Sequence, residues 1–268
     1  MGKYALSICT DKDTNAETAI DHLTWSFPGA QAGAPRAVLS LASAGDMKFR
    51  YGEPNPNRDR FFASLGSSPD RTCGIELHHT RRVVHISNRA DYVRAIEETE
   101  SSGGVDGILC GDSNLAVSVT VADCMPIWLY DEHSGSFGVL HSGWKGTGIL
   151  GEAVSLLESR FDTRPEDISV ILGPAIGACC YRVPPERAHV FALEFGEDCV
   201  VRSDGSDGTE SFSLDLRRAN LKLAARIGLR RVKDVTICTR CDVRLGSYRR
   251  QGAANFTRMA AACGAFRI

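Results

Sequence analysis

The sequence predicts a mixed α/β protein in which sheet is packed between helical layers. Three observations carry that expectation. Short β-branched or aromatic segments are interspersed with longer segments whose apolar residues recur every three or four positions. Three strand-like segments crowd between residues 115 and 140 with gaps too short for helical crossovers, so antiparallel or mixed pairing is expected there. The 268 residues are 43% hydrophobic and 24% charged, an ordinary globular composition with enough chain for one large core or two closely packed halves.

In chain order, strands are expected at residues 83–86, 115–121, 127–130, 137–140, 168–172 and 235–238, each short and bounded by Gly, Pro or charged residues. Helices are expected at 92–100, 150–161, 185–195 and 216–227. In the second of these, Leu150, Val154 and Leu157 share one face while Glu152 and Arg160 point elsewhere. Two turn-rich runs, residues 52–58 and 203–208, read as surface loops.

The formal net charge is −2, which excludes a disordered polyelectrolyte and gives no support to general nucleic-acid binding. No stretch approaches the roughly 18 uninterrupted apolar residues of a membrane span. Charges at Asp11, Lys12 and Asp13 interrupt the start of the chain before a secretory core can form, so a cytoplasmic location and mostly reduced cysteines are expected. Most of the ten cysteines then read as core filler. Cys238-Thr239-Arg240-Cys241 has redox-motif spacing, but nothing thioredoxin-like surrounds it, so it reads as structural.

The densest chemistry lies between Val121 and Gly151. A hairpin made of the strands at 127–130 and 137–140 places its open ends side by side, which brings Cys124 and His141 together. Such a pair has two physical uses: an imidazole-activated thiol nucleophile, or two ligands of a divalent metal such as zinc. The metal needs a third ligand, and either His78 or His79 can supply it; three protein ligands leave a fourth position open, as in catalytic zinc sites. Gly146-Thr147-Gly148-Ile149-Leu150-Gly151 matches a dinucleotide fingerprint, but the following strand ends in Gly173-Pro174 without the required acid. Its amides remain candidates for a small anion. The sharp turn at 173–181 is of the kind that lines pockets, and Arg249 and Arg250 offer guanidinium forks for phosphate or carboxylate.

Taken together, the segments Glu76-Leu77-His78-His79, Ala122-Asp123-Cys124-Met125-Pro126, His141-Ser142-Gly143-Trp144-Lys145-Gly146, the loop 173–180, and Ser247-Tyr248-Arg249-Arg250 with Arg258-Met259-Ala260 resemble, in order, the laccase-domain (polyphenol oxidase, YfiH-like) family. The resemblance implies a layered α/β/β/α sandwich with mixed sheets, a single compact unit spanning residues 1–268. It implies metal ligands His79, Cys124 and His141, selecting His79 because it stands three residues after Glu76. It implies a zinc-dependent purine nucleoside phosphorylase acting on adenosine, inosine, guanosine and methylthioadenosine with phosphate, which also deaminates adenosine. Copper is the alternative metal. Cys124, His141 and Asp123 become the catalytic candidates, with Asp123 or Glu76 as proton shuttle or orienter of a ligand. Arg249, Arg250, Gly146 and Gly148 become the phosphate contacts. The expected partners are purine nucleosides and phosphate, with neither nucleic acid nor membrane.

Two departures from the family pattern stand out. Ala42 occupies the place of an N-terminal arginine, and Leu245-Gly246 replace the aromatic pair that precedes Ser247. The competing readings are a copper-dependent phenol oxidase, a metal-free Cys–His hydrolase, and a nucleoside-binding protein of impaired catalysis.

Overall fold

The chain crosses repeatedly between two stacked sheets, and the architecture of the computed structural model follows from which face of each strand is apolar. Residues 8–9, 17–19, 21–204 and 210–267 are described. The larger sheet has seven strands in the order Ile8–Cys9, Arg231–Asp234, Ile168–Leu172, Met125–Asp131, Phe137–Ser142, Gly107–Cys110, Val83–Ile86. The second has six, in the order Glu17–Ala19, His22–Ser26, Arg36–Ser40, Met259–Gly264, Ala116–Val121, Thr72–Gly74. A small antiparallel sheet joins Arg182–Val183, Glu210–Leu214 and Val200–Asp204.

Strand alternation explains the layers. Along Met125–Asp131, Met125, Ile127 and Leu129 face a helical layer, whereas Trp128 and Tyr130 face the second sheet. In the second sheet Val117, Val119 and Val121 point back at them. The space between the sheets is filled by large side chains, including Trp25 and Trp128 with ring centroids 5.5 Å apart. Trp128 Nε1 also donates to the carbonyl of Ala262 across the layers at 2.9 Å. Outside the larger sheet lie the helices Ile149–Phe161, Pro185–Phe195 and Leu216–Ile227; outside the second sheet lies Pro56–Ser64, burying Phe61 and Phe62. The result is the expected α/β/β/α sandwich with mixed sheets.

The helices start and stop where local chemistry directs. Asn88 caps Arg89–Ser101 by accepting from the Asp91 amide, and Asp215 caps Leu216–Ile227 by accepting from Arg218. Ile149–Phe161 begins after Gly148 and ends at Asp162, both in the left-handed region. Its buried face contains Leu150, Val154 and Leu157, as the periodicity predicts.

Three expectations are corrected. The 235–238 segment is not a strand, because the regular parallel ladder with Ile168–Leu172 ends at Asp234 and the segment keeps only an isolated bridge from Cys238 to Ala175. The 52–58 loop reading is too long: Asn55 accepts from the amides of Asn57 and Arg58 and starts a helix at Pro56. The segment at 115–121 joins the second sheet rather than the hairpin beside it. Of the loop at 203–208, Ser203 and Asp204 end a strand and the rest lies outside the described residues. Trp128→Ala removes both an inter-sheet ring and a buried hydrogen bond, so it should cost about 3–5 kcal/mol. Asn55→Ala, which removes one cap, should cost only about 1 kcal/mol. Urea unfolding followed by circular dichroism checks the difference, and equal losses would contradict the sandwich core.

Candidate functional site

The site lies at the end of the sandwich where the chain passes from one sheet to the other. The strand Ala116–Val121 ends, Ala122-Asp123-Cys124 crosses the gap, and Met125–Asp131 begins in the larger sheet. Asp123 makes this reversal with φ 83°, a left-handed conformation that a side chain ordinarily disfavours. The antiparallel register pairs His141 with Pro126 and Ser142 with Met125, so the end of the returning strand lies beside Cys124. His141 shares the inter-sheet face with Phe137 and Val139, and its ring is thereby aimed into the crossing point.

His79 arrives from the loop before Val83–Ile86, also in the left-handed region at φ 58°. One side-chain nitrogen of His79, one of His141 and the sulfur of Cys124 all lie within 4.8 Å of one another. His79 is exposed, Cys124 half-buried and His141 buried. His78 turns the other way, against Gly104, where any Cβ would overlap its ring.

A buried carboxylate holds this geometry. Asp106 stands just before the strand Gly107–Cys110 and is fully buried. Its Oδ1 lies 2.8 Å from His141 Nδ1 and accepts the amide of His79 at 3.0 Å. Its Oδ2 accepts the amides of His78 and Thr80 at 3.2 and 2.6 Å and the Thr80 hydroxyl at 2.9 Å. With Nδ1 engaged by Asp106, Nε2 of His141 is the nitrogen left for the sulfur or a metal. Gly143 leaves room for that sulfur, since a Cβ there would come within 2.8 Å of Cys124 Sγ.

The electrostatics are those of a coupled pair. Burial alone would raise the Cys124 thiol, but His141 beside it, and hydrogen bonds from His141 and His79, bring it below its ordinary value. Burial would likewise lower His141, but the Cys124 sulfur and Asp106 push it up. The arrangement therefore favours a thiolate at Cys124, the form that ligates a metal. One sulfur and two imidazole nitrogens suit zinc or copper, and three protein donors leave a position for a reactant. The residues fit the expected group. No second histidine-containing ligand group is found among the described residues.

A cavity of about 440 Å³ opens beside the triad, within the range of small-molecule sites. Lys48, Arg50, Arg187, Arg249 and Arg258 line it, and so do the rings of Phe49, Tyr181, Tyr248 and Phe256. Arg50 pairs with Glu76, Lys48 with Glu53 and Arg258 with Asp46. Arg187 and Arg249 have no carboxylate partner among the described residues; they stack over Trp144 and Tyr181 at 4.8 and 5.2 Å.

The other sequence-predicted residues divide. Asp123 borders the cavity, but its Oδ1 accepts from the Thr239 hydroxyl at 2.6 Å and its Oδ2 from the Arg249 amide at 2.7 Å, so it braces two loops. Glu76 is held below the usual carboxylate range by the Tyr51 amide and Arg50, which together outweigh its partial burial. Arg249 is at the cavity, whereas Arg250 donates to the carbonyls of Thr239, Arg240, Asp242 and Leu245 and shapes a loop. Gly146 sits against the carbonyls of His141 and Thr80, and Gly148 against the Arg81 guanidinium; neither lines the cavity. The turn at 173–181 does line it, through Ile176 and Tyr181.

Sequence reasoning missed Asp106, Gly143, Arg187 and Lys48. Asp106 is the only charge in the run from residue 102 to 111, just ahead of the apolar Ile108-Leu109-Cys110, and that isolation is the signal that could have marked it.

The family described as multi-copper polyphenol oxidoreductase laccase matches residues 50–265. The chain belongs to this family. Among its relatives are proteins named purine nucleoside phosphorylase. One, from Clostridium acetobutylicum, is 32% identical over 157 residues, covering 55% of this chain and 61% of that protein. YlmD of Geobacillus stearothermophilus is 33% identical over 166 residues, 60% of each. The chain thus spans about three-fifths of the length of these two relatives. A third, from Corynebacterium glutamicum, is 28% identical over 73% of this chain and 76% of its own length. The crystal structure of YlmD from Geobacillus stearothermophilus superposes with a TM-score of 0.77 at 27% identity, covering 92% of this chain and 97% of that one. That of YfiH from Bacillus licheniformis shares the fold, with a TM-score of 0.75 at 22% identity over 92% of this chain and 97% of its own.

Asp106→Asn keeps the shape but loses the charge that orients His141, so if the triad binds a divalent metal, its affinity for added zinc should fall about 10–100-fold, measured by competition with a chromophoric chelator. Hydrogen bonds from His141 and Thr80 outweigh burial and hold the Asp106 carboxyl below its usual range. It therefore contributes stability that is present above the ordinary carboxylate pKa and lost as pH falls through the lower folded-state value. The Asn variant should lack that acid-side loss in pH-dependent unfolding. Wild-type zinc affinity in the variant would remove Asp106 from the site.

Proposed function

We propose that this chain is a zinc-dependent purine nucleoside phosphorylase, cleaving adenosine, inosine, guanosine or methylthioadenosine with phosphate, and deaminating adenosine at the same site. The whole chain is read as one such domain, acting in the cytoplasm. The observation that carries the reading is a single cavity joining a Cys–His triad, aromatic rings and two arginines that lack carboxylate partners. The names of the relatives support it.

In phosphorolysis a phosphate oxygen forms a bond to the anomeric carbon while the bond to the base nitrogen breaks, its electron pair leaving with the base. Positive charge grows on the ribose and negative charge on the base, so placing the dianion is most of the task. Arg187 and Arg249 are assigned to the phosphate, because the other cations of the wall already face carboxylates. Tyr181, Tyr248 and Phe256 offer faces and edges to the purine. Asp123 acts as a positioning residue, holding the Arg249 backbone and the Thr239 loop with its two carboxylate oxygens.

His79, Cys124 and His141 would hold the metal, which when bound supplies a Lewis acid and an activated water for replacing the 6-amino group of adenosine, released as ammonia. Asp106 keeps His141 oriented for that role. Gly146, Gly148 and Arg250 are left out of the phosphate assignment because their neighbours are carbonyls and Arg81. Cys124 and His141 serve as ligands here, so a thiol nucleophile is not required.

Arg249→Ala leaves the backbone amide that binds Asp123 and removes one charge-assisted contact to phosphate. The Michaelis constant for phosphate should rise about tenfold or more, with little change in that for adenosine. His79→Ala should abolish deamination. Chromatography of products from adenosine, with and without phosphate, reads both. If the zinc-loaded wild type released neither adenine nor inosine, the proposal would fail. Phenol-dependent oxygen uptake lost in Cys124→Ala would favour copper oxidation instead, and a covalent adduct at Cys124 under chelation a hydrolase.

A further inference from the structure

A second cluster of metal-ligating side chains lies outside the triad. Cys179, Cys180, Cys238 and Cys241 all bring their sulfurs within 4.8 Å of one another, and all four are free thiols. The topology is what brings them together. Ile168–Leu172 and Arg231–Asp234 are parallel neighbours, so the loops that follow them leave the same end of the sheet. The two loops then stay in register for several residues. Ala175 donates to the Ile237 carbonyl at 3.2 Å, the Thr239 amide donates to Ala175 at 3.1 Å, and Gly177 donates to Cys238 Sγ at 3.2 Å.

We propose that these four cysteines bind one zinc-class divalent ion as a closed, structural tetrathiolate site, separate from the Cys124 centre. A zinc–sulfur bond of about 2.3 Å in a regular tetrahedron puts the sulfurs about 3.8 Å apart. Three of the six edges are 3.7 Å for Cys179–Cys180, 3.9 Å for Cys179–Cys241 and 3.4 Å for Cys180–Cys241. Cys238 completes the set, since no two of the four sulfurs are more than 4.8 Å apart.

The surroundings match a metal knuckle. Cys238-Thr239-Arg240-Cys241 closes a tight turn in which the amides of Cys241 and Asp242 both donate to the Cys238 carbonyl, at 3.1 and 3.0 Å. The 177–181 segment makes a facing turn, with Cys180 and Tyr181 donating to the Gly177 carbonyl at 2.9 and 3.0 Å. A Cβ at Gly177 would come within 3.2 Å of Cys179 Sγ and 3.6 Å of Cys238 Sγ, so the turn leaves no room for a side chain beside the sulfurs. Four thiolates around a divalent ion keep two negative charges. The Gly177 amide on Cys238, and Arg240 Nη1 at 3.5 Å from Cys180 Sγ, supply hydrogen bonds to that charge. With all four positions taken by protein, the ion has no place for a reactant.

The role is to fasten the cavity wall. One loop continues from Cys180 into Tyr181, which lines the cavity. The other contains Thr239, whose hydroxyl holds Asp123. The carbonyls of Thr239, Arg240 and Asp242 all accept from Arg250, next to Arg249. A metal cross-link between the loops would fix Tyr181 and the Asp123 brace without help from the sheet.

The full chain with Cys124→Ala and His141→Ala isolates the cluster. Purified with reductant from zinc-supplemented growth, it should retain about one zinc per chain by elemental analysis. Cobalt(II) exchanged into it should give the strong sulfur-to-metal charge-transfer and red d–d bands of a tetrahedral tetrathiolate. Adding Cys238→Ser and Cys241→Ser should remove both the zinc and the bands, and stripping zinc from the parent variant should lower its Tm. Metal-free parent variant, or cobalt without thiolate bands, overturns the proposal. So does a disulfide among the four cysteines in freshly purified protein, found by non-reducing peptide mapping. If the quadruple variant does not fold, the cobalt spectrum of the parent variant decides alone.

Discussion

The Asp106 carboxylate is the constraint on which the site depends. A fully buried ionised carboxylate is tolerated only when its oxygens are saturated with donors, since an unpaired one would cost several kcal/mol or would take up a proton. Asp106 meets this with the amides of His78, His79 and Thr80, the Thr80 hydroxyl and the His141 ring. The satisfaction is mutual. The loop at 78–80 has its amides turned inward because a negative charge is there, and turning them inward places His79 in the left-handed region with its ring toward the crossing point. One side chain thus fixes two members of the triad, one from the loop before the edge strand Val83–Ile86 and one from the end of Phe137–Ser142, at the same end of the larger sheet.

Local preference gives way at the same place. Asp123 and His79 are two of only three non-glycine residues with positive φ among the described residues. Asp123 borders the triad and His79 belongs to it, and each is held by bonds that over-determine it: Asp123 by Thr239 and Arg249, His79 by Asp106. Crossing between sheets in three residues leaves no gentler route, and the abrupt turn is what aims the Cys124 sulfur at His141 instead of into a sheet face. Gly143 answers the same crowding from the opposite strand.

Much of the fold was legible because the signals were local. Ile168–Leu172 was marked by flanking Gly, Pro and charge, and Pro185–Phe195 and Leu216–Ile227 by their apolar periodicity, and the structure has all three with the same limits. The meeting of Cys124 with His141 followed from hairpin geometry alone. The choice of His79 over His78 did not, because it depends on which way a short loop turns, and that is decided by Asp106, twenty-seven residues away. The cationic residues of the cavity wall were harder for the same reason. Arg249 and Arg250 are equivalent in sequence, yet Arg249 gives one bond to the Arg182 carbonyl and lines the cavity, whereas Arg250 is absorbed by four loop carbonyls. Arg187 and Lys48 come from segments with no motif, and only tertiary packing brings them to the wall. The Cys238–Cys241 pair looked structural, but its partners, an adjacent Cys-Cys nearly sixty residues earlier, become visible only when the two strands are seen to be neighbours.

The two departures from the family pattern can be weighed against what surrounds them. Leu245 is completely buried, and a Cβ at Gly246 would fall about 2.0 Å from the Thr257 carbonyl, so aromatic side chains there would need a different backbone path. On the proposed function the purine-facing role therefore falls to rings that line the cavity, Tyr181, Tyr248 and Phe256. Ala42 sits in a short turn whose amide donates to the Arg244 carbonyl, and it brings no charge. Lys48 and Arg50 follow a few residues later and do reach the cavity. Arg50 is tied to Glu76 and Lys48 to Glu53, so on the proposed function neither replaces a free cation without giving up a partner. On the proposed function the anion contact then rests on Arg187, in the first turn of Pro185–Phe195, and Arg249, in the short helix Tyr248–Gln251, and its strength depends on how firmly the loops beside them are held. That makes the rigidity of the wall, rather than the number of arginines, the quantity that separates an active phosphorylase from a protein that only binds nucleosides.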